Sequence, residues 1–277
     1  MHTEMWLNSA TQENIQTLRR RGFEIIEPEN GKLTSGDVGV GRYPDSSKII
    51  EALNAKLEHS ADLAGRKVLI SAGGTQEAID PVRFIGNHSS GRQGYALAYA
   101  AALRGADVTL VAANSHLADI EGIKTIHVTS ALQMQEALER EFDSTDILIM
   151  SAAIADVRPA KSSERKISKE NLFEIPLVEN PDITKELSRR RRSQVMIGFA
   201  AQTEDSLVNG LELAAKKLQE KGLDFIYFND VSAGAIFGSE ETQGTIIAAS
   251  GSHIDFPLGA KMTLAKKLLD LALDKLG

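Results

Sequence analysis

The sequence predicts an α/β fold: a doubly wound, mostly parallel Rossmann-like sheet with helices on both faces. Three observations predict it. Lys67–Ala72 is a continuous apolar run of strand length, and further strand-like runs follow at Ala106–Ala112, Asp146–Ala153, Val195–Ala201 and Leu223–Asn229. Helical segments separate these runs, and strand–helix alternation is the signature of a parallel sheet covered on both sides. Small and polar residues follow the strands, where such sheets bind ligands.

Taken in order, residues 1–45 read differently from the rest. Thr11–Gly22 predicts a short helix, with Thr11 as cap, Ile15 and Leu18 on one face, and Gly22 as the stop. Phe23–Ile26 reads as a strand ended by Pro28, and Thr34–Arg42 is glycine-rich without periodicity. This piece holds too few apolar residues for its own core. A linker helix is expected over residues 46–65, and the main domain over 66–277. There, helices are expected at Gly91–Arg104, at Ser130–Phe142 with Ser130 as N-cap, at Asp182–Arg190 and at Asp205–Lys221. Thr245–Ser250 reads as a further strand and Leu258–Leu276 as the closing helix. The Arg189–Arg192 block reads as a solvated helix end that complements the helix dipole.

Composition sets limits. The chain has 277 residues, 42% hydrophobic and 25% charged, as an ordinary globular protein does. A net charge of -7 argues against non-specific nucleic-acid binding, so any anion site must gather its cations locally. There is no cysteine, which excludes disulfides, thiolate metal sites and a cysteine nucleophile, and fits a reducing cytoplasm. No apolar stretch approaches the ~18 residues of a membrane span, and the N-terminus lacks the pattern of a signal peptide.

Six segments carry the chemistry. Gly73 and Gly74 open a long polar excursion with Asp80, Arg83, Asn87 and His88, which ends at Ser89, Ser90 and Gly91 before the next helix. Backbone N–H groups at that helix start could cradle a phosphate, although Ser90 alone could be a cap. Small residues Ser151, Ala152 and Ala153 let a flat ligand approach the backbone. Asp156 could accept from a ligand or cap a helix. Lys161, Arg165, Lys166 and Lys169 form either a solvated loop or a flap over a polyphosphate. Asn180–Asp182, Gly198–Ala201, and the pair Lys217 and Lys221 on one helix face are each weak alone.

In this order the segments resemble the phosphopantothenoylcysteine synthetase (phosphopantothenate–cysteine ligase) domain of bifunctional bacterial coenzyme A proteins. Asp80-Pro-Val-Arg-Phe-Ile-Gly-Asn-His-Ser-Ser-Gly91 is the most specific stretch, supported by Gly198-Phe-Ala-Ala201 and Asn229-Asp-Val231. The resemblance implies that 4′-phosphopantothenate attacks the α-phosphate of CTP, and that L-cysteine then displaces CMP from the acyl-cytidylate, with Mg²⁺ as cofactor. It assigns catalytic roles to Asn87 and Lys166. It assigns nucleotide contacts to Gly73, Ser151, Ala152, Ala153, Asp156, Lys166, Pro181, Asp182, Ile183, Thr184, Phe199, Lys217 and Lys221. Substrate contacts fall to Arg83, Asn87, Ser89, Ser90, Gly91, Ala152 and Ala153. Metal ligands are not assigned. It also implies a cytoplasmic homodimer in which the lysine flap of one subunit covers the other's site, with no nucleic-acid or membrane partner. Gln202 and Gln243 depart from the family pattern.

Met1-His-Thr-Glu-Met-Trp6 resembles the end of a flavin-dependent decarboxylase domain, with His2 for the usual asparagine and Ser35 at the catalytic cysteine's place. Neither FMN nor decarboxylase activity is therefore expected. The competing readings are an NAD(P)-dependent Rossmann-like reductase and a non-catalytic nucleotide-binding module. The first is disfavoured because the glycines are not packed into a tight G-x-G-x-x-G turn.

Overall fold

The computed structural model describes the chain except residues 22, 24, 34, 51–52, 54–60, 169–173, 203–206 and 231–238. It divides into two units, Met1–Ser60 and Ala61–Gly277.

In the first unit, helices α1 (Thr3–Leu7) and α2 (Ser9–Arg20) precede a hairpin of β1 (Glu29–Lys32) and β2 (Val38–Arg42). Asn8, not Thr11, caps α2, accepting from Ala10 N, because the helix begins earlier than the apolar spacing suggests. The strand expected at Phe23–Ile26 is absent among the described residues, and the glycine-rich stretch supplies β2 instead. Among the described residues of this unit, Leu33 is the only buried large hydrophobic side chain. One such side chain contributes roughly 1.5–3 kcal/mol, far below the total reached when ordering each residue's backbone costs ~1–2 kcal/mol. The linker helix is seen at residues 46–50 and lies largely outside the described residues. Its expected end, residues 62–65, is a turn instead.

The second unit is built on an eight-stranded sheet of order β14-β13-β12-β11-β8-β3-β6-β7. Its parallel strands are β3 (Lys67–Gly73), β6 (Asp107–Ala113), β7 (Lys124–Val128), β8 (Ile147–Met150), β11 (Val195–Gln202) and β12 (Phe225–Asp230). Numbered among themselves, these six run 3-2-1-4-5-6 across the sheet, the order of dinucleotide-binding folds. The order reverses between β3 and β8. β13 (Glu241–Ala248) and β14 (His253–Ala260) add an antiparallel edge. Of the segment read as Thr245–Ser250, the first four residues are the second half of β13, and Leu258 lies inside β14, so the closing helix starts only at Lys261.

Helices cover both faces. α3 (Arg92–Leu103) and α7 (Lys261–Leu276) seal one core with Ile70, Leu97, Leu110, Leu264 and Leu268. α4 (Ala131–Phe142), α5 (Ile183–Arg190) and α6 (Leu207–Glu220) seal the other with Met134, Leu138, Leu148, Leu187 and Leu218. Ser130 caps α4 in a full capping box with Gln133. The buried Glu77 carboxylate also accepts from Ala131 N at 2.8 Å, placing negative charge at that helix start. In the arginine block, Arg190 pairs with Asp143 and Arg191 with Asp224, so the block is partly tied down rather than simply solvated. No helix among the described residues is long and apolar enough to cross a membrane.

Candidate functional site

β8 stops at Met150 opposite Gly198, while β11 runs on to Gln202. A cavity of about 390 Å³ fills the notch that this leaves. It lies beside the point where the strand order reverses, where open α/β sheets bind ligands. Asn87, the loop 151–156, Asn180–Thr184, Gly198–Ala200, Lys217 and Lys221 line it. The loops after β3 and β8 therefore meet beside the last part of β11, whose own following loop is outside the described residues. The loop after β12 is outside the described residues.

The loop after β8 is pinned along its backbone. Ser71, fully buried, accepts from Ala152 N, and Ser151 Oγ donates to Ser71 O at 2.6 Å. Thr75 Oγ1 accepts from Ala155 N at 2.9 Å, and Asn87 Nδ2 donates to Ile154 O at 3.1 Å. Asn180 closes the far end: its Nδ2 donates to Ala155 O, its N to Asp156 O, and its Oδ1 accepts from Arg158. Such satisfied polar ties fix backbone N–H groups and the exposed Asp156 at the cavity. Gly73 and Gly74 make the crossing possible. Gly73 has φ +81° and a side chain there would meet Ala113 O, while one on Gly74 would sit 2.5 Å from Asn87 O.

Asp182 caps α5 by accepting from Lys185 N at 3.2 Å, and the same oxygen pairs with Lys221 Nζ at 3.2 Å. Lys217, one turn away on α6, lines the cavity beside it. Ile183 and Thr184 are buried beneath. Phe199 stands edge-on to Tyr227 with ring centroids 5.5 Å apart. Tyr227 is buried and bonded to Thr242, and burial pushes its hydroxyl up to about 12, so it stays a neutral prop.

The excursion after β3 folds into a hairpin, β4 (Gln76–Ala78) and β5 (Phe84–Gly86). At its tip the buried Asp80 carboxylate accepts from Val82 N, Arg83 N, the Arg83 guanidinium and Ile167 N. These donors hold its pKa well below the usual carboxylate range, with the Arg83 guanidinium first among the causes. Arg83 also donates to Ile167 O at 2.7 Å. Arg83 thus ties the hairpin to the segment that carries Lys166 and does not line the cavity. Lys161, Arg165 and Lys166 are exposed and do not line it either; Lys169 lies outside the described residues. Ser89, Ser90 and Gly91 form the entry to α3, with Gly91 as a left-handed N-cap that has no side-chain partner. Among the described residues, no group of three His, Cys, Asp or Glu could hold a metal ion.

Residues 63–276 match the family model described as DNA/pantothenate metabolism flavoprotein C-terminal domain. The chain belongs to this family. The coenzyme A biosynthesis bifunctional protein CoaBC of Mycobacterium bovis is 44% identical over 283 residues, covering 98% of this chain and 68% of the relative. The protein of the same name from Vibrio cholerae is 42% identical over 276 residues, with the same two shares. The crystal structure of the C-terminal domain of a coenzyme A biosynthesis bifunctional protein CoaBC aligns with a TM-score of 0.67 at 35% identity, covering 78% of this chain and 98% of that one. Residues 1–58 match a second model, Flavoprotein, which extends past the 1–45 boundary expected from the sequence.

Within this pantothenate metabolism flavoprotein domain, the sheet order would equally suit a dinucleotide. The hairpin between β3 and α3 argues otherwise, because it occupies the place of a tight glycine turn. The sequence assigns Ser71 and Thr75 no role of their own, although Thr75 lies in the polar excursion after β3. Both are buried polar residues in an apolar run and its exit, which is a weak signal until their partners are seen.

Proposed function

We propose that this protein is a phosphopantothenate–cysteine ligase of coenzyme A biosynthesis that uses CTP. The observation that carries this reading is the single cavity uniting the Asn87 amide, the pinned 151–156 backbone and the cations Lys217 and Lys221. Two anions must meet for a carboxylate to attack a phosphate, so local cations in an otherwise acidic chain are the physical requirement.

In this reading the base and ribose lie on the 151–156 backbone, with Asp156, Pro181 to Thr184 and Phe199 around them. Lys217 and Lys221 hold the phosphates. The carboxylate oxygen of 4′-phosphopantothenate attacks the α-phosphorus, and the bond to pyrophosphate breaks. The amine of L-cysteine then attacks the acyl carbon, CMP leaves with the bonding electrons, and the amine loses a proton. Asn87 Nδ2 has a second hydrogen beyond the one given to Ile154 O, free to donate to the acyl oxygen as negative charge builds. Ser89, Ser90 and Gly91 supply N–H donors for the substrate phosphate at the start of α3. Among the described residues the carboxylates lining the cavity are Asp156 and Asp182, which do not make a closed metal cage. Mg²⁺ in this reading arrives on the triphosphate, a usual mode for that ion, and supplies charge neutralisation.

A homodimer fits the surface. Val82 and Phe84 at the hairpin and Leu177 on β10 (Leu177–Glu179) are large apolar side chains, each about half exposed or more. A second copy docked over the hairpin would carry the Lys166 segment, which is tied to Asp80 and Arg83, towards the neighbouring cavity. In the first unit, Ser35 Oγ donates to Asp37, which also holds His2. A hydroxyl at that place supports the proposal that this unit performs no flavin-dependent decarboxylation. The test is direct: supply CTP, Mg²⁺, phosphopantothenate and cysteine, and measure pyrophosphate and phosphopantothenoylcysteine. The reductase reading requires a nicotinamide absorbance change, and the binding-module reading requires binding without turnover.

A further inference from the structure

We propose that the Asp182–Lys221 ion pair is a built-in competitor for the nucleotide's phosphates, which lowers the cavity's affinity for phosphate-bearing ligands and eases their release. This rests on the reading of the cavity as a nucleoside triphosphate site. Lys221 lies on the cavity wall, yet its ammonium is held 3.2 Å from Asp182 Oδ1. That oxygen also accepts from Lys185 N, so the carboxylate is anchored to the first turn of α5 and cannot follow Lys221 if it moves. Lys217, by contrast, lines the cavity with no carboxylate partner among the described residues.

The physical consequence follows from the balance of charges. A neutral nucleoside offers Lys221 nothing better than Asp182, so the pair stays closed. A polyphosphate offers several anionic oxygens, draws the ammonium away and leaves Asp182 facing the same anion. The pair is partly exposed, with side chains 35% and 41% accessible, so breaking it is a modest cost. Exposed pairs are worth at most about 1 kcal/mol, which corresponds to about fivefold in affinity. The cost falls on every phosphate-bearing ligand that recruits Lys221, including pyrophosphate as it leaves, so Asp182 also assists release by recapturing the lysine.

Asp182→Asn separates the effects, because asparagine caps a helix as well as aspartate does. Binding of cytidine, CMP and CTP would be measured by calorimetry on wild type, Asp182→Asn, Lys221→Gln and the double variant, with thermal unfolding confirming that each folds. Asp182→Asn is expected to raise the ratio of CTP to cytidine affinity about two- to fivefold. On the Lys221→Gln background the same substitution should give a clearly smaller gain. A ratio that Asp182→Asn leaves unchanged or lowers would overturn the proposal. Wild type that binds no triphosphate would instead remove the nucleotide reading on which it rests.

Discussion

The Asn87 side-chain amide donates to the Ile154 carbonyl at 3.1 Å and so joins the loop after β3 to the loop after β8, across the point where the strand order reverses. The residue proposed to steady the acyl oxygen is therefore also a tie that shapes the cavity. Replacing it should affect chemistry more than binding.

Asn87→Asp keeps the side chain's size but turns the donor into an anion, which loses both the bond to Ile154 O and the proposed donation to the acyl oxygen. Loss of one such donor typically lowers turnover by ~10²–10³-fold. Rapid-quench analysis should show acyl-cytidylate that forms slowly or accumulates, with a smaller change in the CTP dependence than in turnover. Wild-type turnover would remove Asn87 from the mechanism.

Lys217→Gln should raise the CTP requirement, because that cation lies in the cavity of its own subunit. Lys166→Gln should do so only in the assembled dimer, because Lys166 does not line its own cavity. Mixing Lys166→Gln with Lys217→Gln subunits is expected to restore one intact site per heterodimer. Steady-state kinetics of the mixture checks this, and no gain over either variant alone would contradict the flap.

Asn180→Ala removes two side-chain hydrogen bonds that lock Ala155 and Arg158 at the cavity rim. Leaving such partners unsatisfied costs about 1–3 kcal/mol where they stay buried. The expected signature is a rise in KM for CTP larger than the fall in kcat, together with a lower midpoint in urea unfolding. A variant with unchanged KM would show that Asp156 does not need this support.

The hairpin tie should be insensitive to pH across the working range. The Asp80 carboxyl titrates below its ordinary value because the Arg83 guanidinium and neighbouring N–H groups favour its charged form. Its stabilisation is therefore fully present above the unfolded carboxylate value of about 3.9 and is lost as pH falls towards the lower folded value. Hydrogen exchange of residues 163–168, corrected for intrinsic rates, should show constant protection from pH 8 to 5 and loss only below about pH 4. Asp80→Asn should weaken that protection at neutral pH.

Much of this arrangement is legible in the chain itself. The central parallel strands announce themselves as apolar runs because both faces are buried, and Ser130 appears as a cap because a serine directly before an amphipathic run has that role. β7 and β14 escape notice for the opposite reason. At the sheet's two edges, Lys124–Val128 and His253–Ala260 mix polar and apolar residues and are only partly buried. The Asp80 and Arg83 pair invites a ligand reading, since two charges in one loop are costly without partners. Only the fold reveals that each satisfies the other and the Ile167 backbone. Lys221 is misleading in a similar way, since α6 spacing places it at the cavity but cannot show that Asp182 already holds it.

The most direct measurement is product formation by the chain with CTP, Mg²⁺, 4′-phosphopantothenate and L-cysteine, read as pyrophosphate and by mass spectrometry. The account predicts phosphopantothenoylcysteine only when all three substrates are present, and acyl-cytidylate with one equivalent of pyrophosphate per site when cysteine is withheld. Binding of CTP with neither acyl-cytidylate nor pyrophosphate formed would contradict it.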